Sequence, residues 1–201
     1  MDIEFKNSKK PVNYEKALKL LEKRVNEVKK GGRELVWFLE HPTTYTAGIR
    51  YKKEEILDKS INIVKTNRGG KITLHNPGQK IVYFVLDLNR RKKNIRNLVR
   101  EIENIIVEFL KVYKIKSYAD KKNIGIWVNK KKIAAIGIRV SRWVAYHGFS
   151  ININNNLNDY KKIIPCGLDN EKITSFKKEG KKSSNINKNL KNIFLKNQFK
   201  I

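Results

Sequence analysis

The residue with the greatest chemical reach in this chain is Cys166, the single cysteine among 201 residues. It stands in Ile164-Pro165-Cys166-Gly167, where proline fixes the backbone on entry and glycine leaves the following N–H unobstructed. That setting suits a nucleophile presented beside a backbone donor. A lone cysteine also serves as a small buried hydrophobe, and residue type alone does not separate the two uses. Lys132 opens the otherwise apolar run Lys132-Ile133-Ala134-Ala135-Ile136-Gly137-Ile138. On a strand it shares a face with Ala134 and Ile136, so it either leans into a cavity or snorkels out at the strand end. Ala134, Ala135 and Gly137 leave room beside the strand for tight packing or for a ligand. A third segment runs Arg68-Gly69-Gly70-Lys71-Ile72-Thr73-Leu74-His75-Asn76-Pro77-Gly78-Gln79. Its paired glycines free the backbone to approach a ligand, and its polar side chains join them; a Gly-rich turn between strands looks the same. His41, His75 and His147 match no local ligand spacing and gather no carboxylates, so no metal site is expected. Walker-type and Gly-x-Gly-x-x-Gly loops are lacking, and no cofactor is expected.

One cysteine permits no intramolecular disulfide and no cysteine-based metal cluster, and it suits a reducing, cytoplasmic setting. With 40% hydrophobic and 32% charged residues, the chain has the composition of a soluble globular domain. No apolar run reaches the ~18 residues that a membrane span needs. The charged opening Met1 to Lys10 is not a secretory signal. The net charge is +26, from 45 Lys and Arg against 19 Asp and Glu. Such an excess attracts anionic partners of any kind: nucleic acid, anionic membrane or an acidic protein. The chain is also crowded with Lys, Asn and Ile, as an A+T-rich genome would produce, so charge alone does not choose the partner.

These residues need elements to position them. Asn13 reads as the N-cap of a helix that ends at Gly31-Gly32 and carries an apolar stripe of Leu18, Leu21, Val25 and Val28. Leu35 to Leu39 reads as a buried strand, Ile61 to Val64 as a short one, and Thr66 to Gln79 as a loop. Ile81 to Leu88 reads as a central strand. The longest helix is expected over 93–112, with Ile95, Leu98, Ile102, Ile105, Ile106 and Phe109 on one face. Ile124 to Val128 and Lys132 to Val140 make a hairpin around Asn129-Lys130-Lys131. Phe149, Ile151 and Ile153 alternate with polar residues, as in a half-buried strand. A short helical stretch near Asp159 to Ile163 stops at Pro165. Strands and helices mixed in this order suggest one α/β or α+β domain with a mixed sheet, expected over 1–176. Residues 177–201 form a basic extension, expected to be partly mobile and to end in a helix of Ile186, Leu190, Ile193 and Phe194 that docks on the domain.

Taken together, these segments resemble the lipoyl(octanoyl) transferases of bacteria and mitochondria. The resemblance rests on the run Arg68 to Gln79, on Lys132 to Gly137, on Tyr146-His147-Gly148-Phe149-Ser150 with its following Asn-rich strand, and on Ile164 to Gly167. The earlier His41-Pro42-x-x-Tyr45-Thr46-x-Gly48 also fits, and order and spacing agree over roughly 35–176. The chain departs from the family pattern at Asn76, where glycine is usual, at Leu74, where an aromatic is common, and at Trp143, often a glycine.

The resemblance implies a biotin/lipoate protein ligase-like fold and an acyltransferase without a cofactor. Cys166 would take an octanoyl group from octanoyl-acyl carrier protein as a thioester. A lysine of a lipoyl domain, in 2-oxoacid dehydrogenase complexes or the glycine cleavage H protein, would then accept it as an amide. Lys132 would lower the thiol pKa or act as general base. Arg68, Gly69, Gly70, Lys71, Ile72, Thr73, Leu74 and His75, with Ala135, Ile136 and Gly137 and with Gly148, Phe149 and Ser150, would surround the acyl chain. Nucleic acid and membrane are not expected partners. The rival within the fold is an ATP-dependent lipoate or biotin protein ligase, which would not need Cys166. The rival from another class is a non-catalytic basic nucleic-acid-binding protein; against it, aromatic residues do not interleave with the basic runs in any known module pattern.

Overall fold

The computed structural model describes residues 2–120, 123–167 and 172–197, with the backbone alone of Cys166. Helix α1 (Tyr14–Lys29) starts where Asn13 Oδ1 accepts from Lys16 N at 3.0 Å. It stops where Gly31, at φ +92°, turns the chain and the N–H groups of Gly31 and Gly32 close on Val28 and Glu27. Its buried stripe is Tyr14, Ala17, Leu21, Val25 and Val28; Leu18 is only partly covered. Helix α2 (Ile95–Val112) buries Leu98, Ile102, Ile105, Ile106, Phe109 and Leu110, whereas Ile95 in its first turn is exposed.

Two sheets form among the described residues. The larger has the order β1 (Ile3–Asn7), β2 (Glu34–Leu39), β6 (Gln79–Asp87), β10 (Val144–Asn152), β9 (Lys131–Ser141), β8 (Ile126–Val128), β7 (Tyr118–Ala119). Only β1 and β2 run parallel within it. The smaller places β3 (Thr44–Ala47) between β4 (Ile63–Lys65) and β5 (Ile72–His75). The Thr66 to Gln79 segment is therefore not all loop: β5 lies within it, paired antiparallel to β3.

Central strand β6 alternates across its two faces. Val82, Phe84 and Leu86 pack toward α2 and α3 (Ile186–Asn197), while Ile81, Tyr83 and Val85 pack toward α1. Strand β10 is covered on both faces too, so it is buried throughout rather than half-buried; its polar Asn152 accepts from Gln79 and donates to Thr174 O, and Ser150 lines the cavities described below. The β8–β9 hairpin turns on Asn129 and Lys130, both at positive φ, and Lys131 already belongs to the strand. Arg142 and Trp143 make the same kind of turn between β9 and β10. Trp143 sits at φ +62°, which explains why glycine suits its position. The segment after Asn156 forms 3-10 turns, Leu157–Lys162 and Pro165–Gly167, rather than a regular helix. No helix among the described residues is long and apolar enough to cross a membrane.

Leu190, Ile193 and Phe194 of α3 enter the core beside α2, and the Phe194 ring stacks on Phe149 at 6.2 Å. Phe194→Ala should cost about 3–5 kcal/mol of stability, read from chemical denaturation, because this cavity opens against strands that cannot collapse into it. A loss below 1 kcal/mol would show that α3 is peripheral.

Candidate active site

Strand alternation decides which part of the Gly-rich segment can form a site. Thr73 and His75 line a narrow cavity of about 50 Å³ between β5 and the β9–β10 pair. Ile72 and Leu74 point away from it and pack with Tyr45, Tyr160, Ile163 and Ile173. Arg68, Gly70 and Lys71 line the cavity from the same side, and Ala135, Ile136, Gly137, Gly148, Phe149 and Ser150 from the other. Gly69 does not line it; its N–H instead donates to Ile138 O at 3.1 Å and ties the loop to β9. Leu74 therefore departs from the family pattern without touching the cavity wall. Asn76 finds partners of its own: it accepts from Asn155 and donates to Asn156 O and to Asp159.

The cavity has a polar wall. Arg68 is buried, and among the described residues no carboxylate pairs with it. Its guanidinium donates to Gly69 O and to both oxygens of Thr46, at 2.9–3.0 Å, and its Nε has no partner. His147 sits at φ +69° inside β10. In a regular strand Tyr146 and His147 would point to opposite faces; this twist brings their rings together, stacked at 4.8 Å. His147 Nε2 bonds Asn67 Oδ1 at 2.7 Å, which makes Nε2 the protonated nitrogen and leaves buried Nδ1 without a partner. Gly148 follows because a Cβ there would come within 1.9 Å of Val82 O.

Tyr14, Tyr83 and His75, which also line the cavity, form a buried chain with His41. His41 Nδ1 donates to Val12 O at 2.6 Å, and its Nε2 accepts from the Tyr83 hydroxyl at 2.9 Å. Tyr14 stacks on His75 at 5.8 Å. His75 Nδ1 donates to Gln79 Oε1 at 2.7 Å, and Gln79 Nε2 donates to Asn152 Oδ1 and the Tyr160 hydroxyl, both at 2.9 Å. Thus the Asn-rich strand end and the β5–β6 turn are fastened together. Burial lowers all three imidazoles, His41 to about 4 and His75 and His147 to about 3, and Arg68 adds to the effect on the last two. Neutral imidazoles without gathered carboxylates fit hydrogen bonding; among the described residues no cluster could hold a metal ion.

Lys132 and the Pro165–Gly167 turn meet on the far side of Ser150. A second small cavity, about 20 Å³, is lined by Lys132, Thr73, Ser150, Asn152, Tyr160 and Pro165, among others. Lys132 is only 9% exposed. Its Nζ stands 5.4 Å from the Trp127 ring centre, and among the described residues no carboxylate pairs with it. Gly125 makes room for it: a Cβ there would lie 2.5 Å from Lys132 Cε. Lys71 lies on the other flank, 2.7 Å from buried Glu55. An outer groove of about 370 Å³ shares Gly70, Lys71, Ala135, Ile136 and Gly137 with the narrow cavity and also reaches Lys132. Sequence reasoning missed Tyr14, Tyr83, Tyr160, Glu55 and Asn152. A tyrosine amid the aliphatic run 81–88 and an asparagine in the apolar alternation of 149–153 were the available signals.

A small sheet folded over a mixed sheet, closing a slot against β9 and β10, is the biotin/lipoate protein ligase-like fold. Two solved structures superpose over 99% of this chain. They are lipoate-protein ligase A bound with ATP (TM-score 0.79, 14% identity, 86% of that chain) and the bipartite lipoate protein ligase of Thermoplasma acidophilum (TM-score 0.75, 12% identity, 84% of that chain). The chain belongs to the lipoyl protein ligase A/B catalytic domain family, whose model matches residues 13–197, and it is an acyltransferase. The octanoyltransferase of Ehrlichia chaffeensis is 46% identical over 185 residues, covering 89% of this chain and 86% of that protein. The octanoyltransferase of the Wolbachia of Brugia malayi is 40% identical over 205 residues, covering 99% of both.

The lowered imidazoles make a pH prediction. The folded state prefers them neutral, so their contribution is complete above the unfolded value near 6.5 and is lost as pH falls toward 4 and 3. Each should remove about 1.4 kcal/mol of stability per pH unit across that window. In NMR titration of the folded protein, no histidine should titrate between about pH 5.5 and 8. A midpoint near 6.5 for any of the three would contradict its buried, neutral placement.

Proposed function

We propose that the protein moves an octanoyl group from octanoyl-acyl carrier protein to a lysine of lipoyl domains through a thioester on Cys166, within lipoate biosynthesis. The observation that carries the reading is the meeting of Lys132, almost fully buried and without a carboxylate partner among the described residues, with Pro165 in one small cavity next to the Ala135–Gly137 and Gly148–Ser150 walls. The octanoyltransferase relatives support the octanoyl group and the lipoyl-domain acceptors.

The chemistry needs no ATP. Sγ of Cys166 attacks the thioester carbonyl carbon and the carrier thiol leaves with a proton, one thioester replacing another. The acceptor amine then attacks the acyl-enzyme, loses its proton and leaves an amide, which is downhill. A thiol of pKa ~8.5 is only about 3% ionised at pH 7, and a nearby ammonium raises that fraction. In its neutral form Lys132 can instead take the thiol proton and later that of the amine. Burial of an octanoyl tail, at ~0.8 kcal/mol per methylene, is worth on the order of 5 kcal/mol of anchoring.

Mixing the protein with octanoyl-acyl carrier protein, with ATP removed, should give an octanoyl-mass adduct on Cys166 in intact mass spectrometry. That adduct should pass to an added lipoyl domain, and Cys166→Ala should form none. Transfer that strictly requires ATP, or full transfer by Cys166→Ala, would replace this reading with the ligase one.

Lys132 supports a separate prediction. Lys132→Ala should slow Cys166 acylation by about 10²- to 10⁴-fold and move its iodoacetamide alkylation profile to higher pH, with folding retained. An unchanged profile and rate would reduce Lys132 to a packed strand residue.

A further inference from the structure

The mechanism above leaves one charged group at the nucleophile turn unused. Lys71 follows Gly70 at the mouth of the narrow cavity and lines both that cavity and the outer groove. Its Nζ lies 2.7 Å from Glu55 Oε1, and the Glu55 side chain is only 6% exposed. A Cβ built on Gly167 would come within 2.8 Å of the same Nζ, so the ammonium stands against the backbone beside Cys166. Glu55 is itself fastened to this region: Ile164 N donates to Glu55 O at 2.7 Å, and Lys52 N to Glu55 Oε2 at 3.2 Å. The pair thus links the cavity mouth to the segment that leads into the Pro165–Gly167 turn.

We propose that Lys71, held by Glu55, is a second catalytic cation, which donates a hydrogen bond to the substrate carbonyl oxygen as Cys166 adds to it. This deepens the reading of the site given above and rests on it. An ammonium has three N–H groups. Glu55 Oε1 stands 2.7 Å from the nitrogen as an ion-pair partner, and the ammonium still has N–H groups to offer a substrate at the cavity mouth. The carboxylate also cancels most of the lysine's field at a distance, while a donor in contact keeps its full directional strength. Lys71 is therefore a poor thiolate stabiliser and a good oxyanion donor; Lys132, which no carboxylate pairs with among the described residues, has the opposite balance. As the sulfur–carbon bond forms, the carbonyl π pair moves onto oxygen and Lys71 meets the charge. When the bond to the carrier sulfur breaks, the pair returns. Lys71 stays an ammonium throughout, so no proton is left unaccounted.

The pair can be tested one charge at a time. Lys71→Met leaves a bare carboxylate and should move the Cys166 alkylation profile to higher pH. Glu55→Gln unmasks the ammonium and should move it to lower pH. The double variant Lys71→Met/Glu55→Gln removes both charges and should leave the profile where it is in wild type. Single-turnover acylation of that double variant by octanoyl-acyl carrier protein should nonetheless slow by about 10²-fold or more. Lys71→Gln, which keeps an N–H donor without charge and disturbs the pair less, should lose less than the double variant and serves alone if the double variant does not fold. A double variant or Lys71→Gln that acylates at the wild-type rate would make the pair a structural brace and overturn the proposal. Absence of any adduct on wild-type protein would instead overturn the covalent reading beneath it.

Discussion

The Arg68 guanidinium is buried against peptide and hydroxyl oxygens, and most of the site follows from accommodating it. Neutral oxygens of Thr46 and Gly69 supply its hydrogen bonds, so β3 and the loop before β5 must converge on one planar group. That convergence leaves no space for side chains around it. A Cβ on Gly48 would lie 2.7 Å from Arg68 Nη1 and 2.5 Å from Gly70 O, and one on Gly137 would lie 3.3 Å from Arg68 Cδ. Gly48 and Gly137 are the imprint of this one cation. Its charge also bears on His75 and His147, which burial has already driven toward the neutral form.

The two lysines that flank the Pro165–Gly167 turn differ in compensation. Lys132 is packed over an indole with no carboxylate against it among the described residues, and Lys71 is bound to a buried one. Charge that is uncompensated acts over distance, and charge that is compensated acts through contact. On the mechanism proposed above, the site would separate two demands on a basic group, to shift a protonation equilibrium and to meet a transient oxyanion, that a single residue serves poorly.

Much of this was readable in advance where one local rule governed. Asn13 and Gly31 bound α1 because capping depends on near neighbours, and the β8–β9 turn follows from Asn129 and Lys130. The cysteine, the lysine and the Gly-rich segment were legible as chemistry, and the structure gathers the last two with Pro165 around one region. What stayed hidden depended on distant contacts. Strand β5 forms because β3 pairs with it, so the segment's polar, Gly-rich composition misled. Ile72 and Leu74 belonged to a recognised motif, yet strand alternation turns them from the cavity. Strand β10 looked half-exposed because Ser150 and Asn152 are polar; they are buried facing the cavities, with Gln79 bonded to Asn152. Glu55 carried no local signal, since its significance comes from a lysine sixteen positions away along the chain.

His147 carries a further consequence. A non-glycine residue in the left-handed region costs of order 1–3 kcal/mol, and it persists only where its surroundings over-determine it. Here the surroundings are a central strand paired on both sides, β6 on one edge and β9 on the other. Glycine at this position would relax the backbone and remove the ring that faces Asn67 and the cavity. Stability and ligand contact therefore pull this position toward different residues. A search for thermostable variants by backbone fit alone would select against the site at its centre, whereas a search that kept the imidazole would have to recover its stability elsewhere, in the two strands that hold it.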